Sequence, residues 1–205
     1  MRLRLRPFRR GDEEDLADVC LRTGDGGADA TALYRSPGLL ADIFVLPYAA
    51  RHPESAFVID DGERVRGYIV CAPDTAAFER WFRFEWWPPR AEAHRATAGH
   101  SDKDAVMLRY AAEVGVRPVP FVDEYPAHLH IDLLPEAQAS GWGRKLIDAL
   151  LQHLRARGVP GLQLTAGAGN EGAVAFYRHL GFSQLRSQDA GVTFGMTWEA
   201  PGRAG

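Results

Sequence analysis

HLHIDLLPEAQASGWGRKLIDALLQHLRAR, His128 to Arg157, passes from alternating residues through a glycine-bearing loop into an amphipathic helical pattern. His128, His130 and Asp132 alternate with apolar neighbours, so a strand would carry all three on one face. The loop QASGWG, Gln138 to Gly143, sets two glycines where the helix begins. Several backbone N–H groups can then converge on one anion with no side chain in the way, a geometry suited to a pyrophosphate.

Two nucleotide patterns fail at this loop. A Walker loop needs Lys followed by Ser or Thr after its last glycine, whereas Arg144 and Lys145 follow Gly143. A dinucleotide fingerprint needs a third glycine and an acid at the end of the next strand, and GLQLTAG (161–167) carries none. What stands is Gln-x-x-Gly-x-Gly after Pro135, ahead of a helix with basic residues in its first turn.

Outward from this unit, RLRLRPF alternates as a strand. Gly11 and Asp12 open a helix with Glu13, Glu14 and Asp15 in its first turn and Leu16, Val19 and Cys20 as its buried stripe. The loop TGDGGADAT leads to a second short helix, begun at Ser36-Pro37 and carrying Leu39, Leu40, Ile43 and Phe44. Two apolar runs joined at Asp61-Gly62 predict a β-hairpin. Phe78, Trp81, Phe82 and Trp86 have helical spacing, and Pro88-Pro89 is expected to stop that helix ahead of a polar, mobile AHRATAGH. Ser101 and Asp104 form a capping-box pattern for a helix through Met107, Tyr110, Ala111 and Val114. After the irregular VRPVPFVDEYP and the central unit come a strand at 161–167, a helix from Asn170 to Leu180, and two closing strands, FSQLRS and VTFGMTW. The economical reading is one α+β domain over 1–200 with a mixed sheet, followed by a disordered tail, 201–205.

With 205 residues, 46% of them apolar, the chain can bury a full core. A formal net charge of -3 argues against general nucleic-acid or anionic-membrane binding. No apolar run approaches the roughly 20 residues of a membrane span, and MRLRLRPFRRGDEED lacks a signal-peptide core, so a cytoplasmic location is expected. Cys20 and Cys71 lack ligand spacing and read as small core residues. His-x-His-x-Asp would permit a metal, but no further ligands lie near it in the strand, so none is expected.

Gln138, Gly141 and Gly143 resemble the acetyl-CoA loop of the GNAT superfamily of N-acetyltransferases. NEGAVAFYRHLGF (170–182) is similar to that family's next conserved segment, with Asn170 before a helix and Tyr177 ahead of Leu-Gly-Phe. GDGGADATALY, SPGLLADIF, ESAFVIDDGERVRGYIVCAPDTAAF and YPAHLHIDLLP look like the acetyltransferase-like C-terminal domain of animal O-GlcNAc hydrolases and its free-standing bacterial relatives. The animal domain lacks the loop glycines; their presence here implies that this chain binds acetyl-CoA. Nothing corresponds to the glycoside-cleaving domain, and no such activity is expected.

The resemblance implies a three-layer domain with a central mixed, mostly antiparallel sheet flanked by helices. It also implies an acetyl-CoA-dependent N-acetyltransferase acting on a primary amine by direct attack. Backbone groups of Gln138, Ala139, Ser140, Gly141, Trp142, Gly143 and Arg144 would hold the pyrophosphate, with the Arg144 and Lys145 side chains near phosphates and Asn170 on the pantetheine arm. A bulge in the central strand would expose backbone at Leu133 and Leu134 to pantetheine and the thioester carbonyl. Tyr177 would protonate the departing thiolate. Asp132 is the first choice for the base and His130 the second; Asp74, Trp86, Asp123 and Glu124 are expected at the acceptor mouth. The acceptor is a small-molecule or lysine amine. The alternative is an acetyl-CoA-binding or protein-interaction module without turnover, and a nucleotide-binding domain is a minor third reading.

Overall fold

The computed structural model describes residues 2–36, 38–97, 99–138, 140–167, 169–188 and 191–198. Ala139 and the tail 201–205, both subjects of the expectations above, lie outside them. Strand β1 (Arg4–Pro7) is followed by α1 (Glu13–Arg22), α2 (Leu39–Phe44) and α3 (Leu46–Arg51). The hairpin expected at Asp61-Gly62 is β2 (Ala56–Asp60) with β3 (Val65–Ala72). Next come α4 (Thr75–Trp81), α5 (Trp87–Arg95), α6 (Asp102–Glu113), β4 (Ala127–Leu133) and α7 (Trp142–Ala156). The chain closes with β5 (Gly161–Gly167), α8 (Glu171–His179) and the antiparallel pair β6 (Ser183–Gln188) and β7 (Gly191–Thr197).

The strands form one sheet in the order β1-β2-β3-β4-β5-β7-β6. Every pairing is antiparallel except β4 with β5, where α7 provides the crossover a parallel pair needs. That pair is in register only at Ala127–Leu162 and His128–Gln163, so the strands part beyond these residues. On one sheet face α7 buries Leu146, Ile147, Leu150, Leu151 and Leu154 among Ile59, Ile69, Cys71 and Leu129. On the other, Val58, Tyr68, Val70 and Ala72 pack with residues of α1 to α6. Among the described residues no helix is long and apolar enough to cross a membrane.

One expectation is corrected at Pro88-Pro89. These prolines open α5 rather than close the preceding helix, and AHRATAGH contributes His94 and Arg95 to its last turn. A first-turn N–H has no intrahelical acceptor, so proline is tolerated there. A π-helical turn, Phe82–Trp86, joins α4 to α5. Also absent from the sequence reading was α3, whose Tyr48 becomes central below.

Three polar ties fix the helical layer. His94 bridges α2 and the preceding loop, with Nε2 2.9 Å from Asp42 Oδ2 and Nδ1 2.7 Å from Ser36 Oγ. The expected capping box is present, and the fully buried Asp104 also accepts from the Arg35 and Ser36 N–H groups at 3.0 and 3.3 Å. Burial alone would raise the Asp104 pKa; the hydrogen bonds from Ser101, Arg35 and Ser36 outweigh it and hold the carboxyl below its ordinary value. Its stabilisation is therefore present at neutral pH and lost as pH falls through that depressed value. Asp104→Ala leaves buried donors without partners and is expected to cost about 3 kcal/mol in urea unfolding at pH 7.

Candidate functional site

Gly141 precedes α7 at φ 74°, ψ 9°, the left-handed region, and gives that helix no side-chain cap. The Lys145 N–H closes the first turn on Gly141 O at 3.1 Å, so the N–H groups of Trp142, Gly143 and Arg144 precede the intrahelical ladder. Gly143 is small for a second reason: a Cβ there would stand 3.2 Å from Phe176 Cζ, so α7 lies tight against α8. Gln138 braces the loop from below by donating from Nε2 to Leu133 O at 2.8 Å. Ser140 is exposed beside it.

This helix start opens on a cleft of about 890 Å3 walled by β4, the α7 N-terminus and α8. Arg144 lines it with a side chain 60% exposed and only a 3.7 Å approach to Asp148. Lys145 is not among the lining residues, but its Nζ lies 3.8 Å from the ring centroid of Trp142, which is. Asn170 caps α8, its Oδ1 accepting from Ala173 N–H at 2.9 Å, which leaves the Nδ2 donors to face the cleft.

The expected bulge is not present: β4 keeps an unbroken register with β3 from His128 to Leu133. The gap in the sheet lies instead on the other side of β4, which parts from β5 beyond His128. Leu134 N–H donates to Arg66 O at 2.9 Å and its side chain is fully buried, so Leu134 is spent on the β3 side. Alternation along an antiparallel ladder then turns the N–H groups of Ile131 and Leu133 toward the gap. Leu133 lines the cleft and Leu134 does not.

Asp132 and Tyr177 share the cleft wall. Tyr68 O–H donates to Asp132 Oδ2 at 2.5 Å. Burial pushes the Asp132 carboxyl up to about 7, against hydrogen bonds from Tyr68 and Thr23 that lower it. Burial, and secondarily the nearby Asp132 charge, raises the Tyr177 phenol well above its ordinary value, so it stays protonated. The TGDGGADAT loop completes the wall: Thr23, Gly26 and Gly27 line it, and a Cβ on Gly27 would lie 3.9 Å from Asn170 Nδ2. The sequence reading treated this loop as a connector, although its paired glycines were the available signal.

His130 and His128 stand apart from this cleft. They line a second cavity of about 410 Å3 with Phe44, Tyr48, Glu79 and Tyr110. Both histidines are held low, His128 to about 3 by burial, His130 and His52, and His130 to about 4 by burial.

The residues expected at the acceptor mouth do not gather at either cavity. Asp74 caps α4 by accepting from Ala77 N–H at 2.9 Å. Trp86 is buried, donates Nε1–H to Asp42 O at 2.8 Å and carries the Arg90 guanidinium 3.2 Å from its ring centroid. Asp123 and Glu124 are exposed in a turn before β4. Among the described residues no group of three or more His, Cys, Asp or Glu is arranged to hold a metal.

Comparison with known proteins bears on this geometry. Protein O-GlcNAcase of Rattus norvegicus is 22% identical over 188 residues, which cover 90% of this chain and 20% of that protein. The chain thus spans about a fifth of the length of the curated relatives it matches. The crystal structure of SsHAT is 35% identical with a TM-score of 0.85, over 96% of this chain and 98% of that one. A GNAT-superfamily phosphinothricin acetyltransferase from Sinorhizobium meliloti, solved with AcCoA, shares the fold at 15% identity and a TM-score of 0.57, over 96% of this chain and 89% of that one. Residues 28–182 match the acetyltransferase (GNAT) family. With that match running from the loop after α1 to just past α8, the chain belongs to the acetyltransferase (GNAT) family of acetyl-transferring enzymes.

Proposed function

We propose that the protein is an acetyl-CoA-dependent N-acetyltransferase that passes the acetyl group to a primary amine by direct attack. The observation that carries this reading is the convergence on one cleft of an uncapped helix N-terminus, a parted strand pair, and two proton-active side chains of opposite character. Acetyl-CoA, the second substrate, brings an activated thioester. Its diphosphate suits the N–H groups of Trp142, Gly143 and Arg144 and the Arg144 guanidinium, and its amide-bearing arm suits Asn170 Nδ2.

Leu133 N–H is the donor positioned for the thioester oxygen, a contribution of about 3 kcal/mol when such a group acts on developing charge. Tyr177, protonated and at the cleft wall, supplies the proton to the departing sulfur. Asp132 takes the proton from the acceptor. An alkylammonium has a pKa near 10.4, so the transfer is uphill by roughly 5 kcal/mol to Asp132 but roughly 9 kcal/mol to His130. That difference favours Asp132, at about 7, over His130, at about 4.

Tyr177→Phe tests the reading. The ring's packing on Phe176, Phe182 and Phe194 is retained, so acetyl-CoA affinity by calorimetry should stay within about twofold. The turnover number should fall about 100-fold, the usual weight of a positioned acid. An unchanged turnover number would remove Tyr177 from the chemistry.

A further inference from the structure

The second cavity has a proton order that its hydrogen bonds dictate. Thr75 Oγ1 lies 2.7 Å from Pro126 O, a carbonyl that can only accept, so the single hydroxyl hydrogen of Thr75 is committed there. Thr75 Oγ1 is also 2.8 Å from His128 Nδ1, which must therefore be the donor. His128, held neutral, then presents a bare Nε2, and Tyr48 O–H donates to it across 2.7 Å. The Tyr48 oxygen, its hydrogen spent, accepts from His130 Nε2–H at 3.1 Å. The chain ends with an unprotonated lone pair on His130 Nδ1. Trp87 Nε1 is the only buried side-chain nitrogen or oxygen without a partner among the described residues, so His130 Nδ1 is not sealed in the core. It belongs to the cavity wall.

The rest of the wall says what could meet that lone pair. Glu79 is its one carboxylate among the described residues, and no Lys or Arg lines it. Rings run outward from the histidine: Phe44 is 5.4 Å from His130 and 5.5 Å from Tyr110, centroid to centroid. Aromatic faces and one carboxylate attract a cation and repel an anion. The cavity also abuts the parted strands, through His130 on β4 and Thr165 and Gly167 on β5.

We infer that this chamber binds the acceptor as a primary ammonium on a flat or apolar body, with His130 Nδ1 accepting one of its N–H bonds. Thr75, His128 and Tyr48 are positioning residues that fix the His130 tautomer, and Glu79 supplies the counter-charge. The inference rests on the N-acetyltransferase reading only for the fate of the bound amine. Burial pushes the Glu79 carboxyl up against a backbone hydrogen bond from Gly115, and a cation bound beside it favours the ionised form. His130 acts in recognition and Asp132, next on the same strand face, in proton removal.

The test is calorimetric binding of 2-phenylethylamine and its uncharged analogue 2-phenylethanol to the full chain, wild type against Tyr48→Phe and Glu79→Gln. Tyr48→Phe keeps the ring stacked on Phe78 at 4.3 Å and removes the hydroxyl that joins His128 Nε2 to His130 Nε2. The wild type should prefer the amine, and each variant should weaken amine binding about tenfold while leaving the alcohol unchanged, the weight of one hydrogen bond to a charged group. Equal affinity for amine and alcohol in the wild type, or variants that leave the preference intact, would overturn the proposal. Acetyl transfer is read separately: amine that binds but is not acetylated at saturating acetyl-CoA counts against the transferase reading while upholding the chamber.

Discussion

Asp132→Asn is expected to lose about 1,000-fold in kcat/KM while becoming more stable than the wild type at pH 8. The two effects share one cause. The Asp132 carboxyl titrates at about 7 in the folded protein, whereas its ordinary value is 3.8. A folded pKa above the unfolded one means that the native state binds more protons, so stability falls as pH rises between these values. After discounting for its partial exposure to the cleft, the ionised carboxylate costs roughly 1–3 kcal/mol above pH 7, a cost that the asparagine removes. The amide can still accept from Tyr68 O–H. The wild-type kcat/KM should rise with pH through about 7 as the base loses its proton, and that limb should vanish in the variant. Urea unfolding at pH 5 and pH 8 checks the stability half, with the gain appearing at pH 8. A variant that keeps the limb near pH 7 would move the base elsewhere.

Gly141→Val should weaken acetyl-CoA binding about 100-fold with little loss of secondary structure. At φ 74° a β-branched residue is strained by about 1–2 kcal/mol. A Cβ built there meets nothing within 4 Å in the free protein, so crowding arises only when a ligand approaches the helix N-terminus. Strain relieved by rotating the backbone would also turn the Trp142 and Gly143 N–H groups away from their common focus. Gly143 provides a contrast, because a Cβ there meets Phe176 and would disturb α7–α8 packing before any ligand binds. Measuring acetyl-CoA affinity and melting temperature in both variants separates the two roles. Gly141→Val affinity equal to that of the wild type would mean that the diphosphate lies elsewhere.

The parts legible in the sequence were those set by short-range chemistry. Asp61-Gly62 specifies its hairpin, Ser101 with Asp104 its cap, and the α7 stripe its buried face, each within a few residues of chain. The proposed donor site draws on features of the same short range: Gln138, Gly141, Gly143 and Asn170 lie where helices begin. Pro88 and Pro89 misled because proline is compatible with the end of one helix and the start of the next, and only packing chooses. The proposed acceptor chamber was not legible because it joins residues far apart in sequence. Tyr48 lies 80 residues from His128 and 82 from His130, and Thr75 lies 53 from His128. Trp86 was expected at the acceptor mouth from the order of the segments, yet its indole N–H is committed to Asp42 O.

The most direct test of the central claim, that the α7 N-terminus and the parted β4–β5 pair form an acetyl-CoA site, is a calorimetric titration of the wild-type chain with acetyl-CoA, ATP and NAD in parallel. One saturable site for acetyl-CoA, with ATP and NAD binding at least about tenfold more weakly, is the predicted result. Absence of acetyl-CoA binding, or a preference for ATP or NAD, would contradict it.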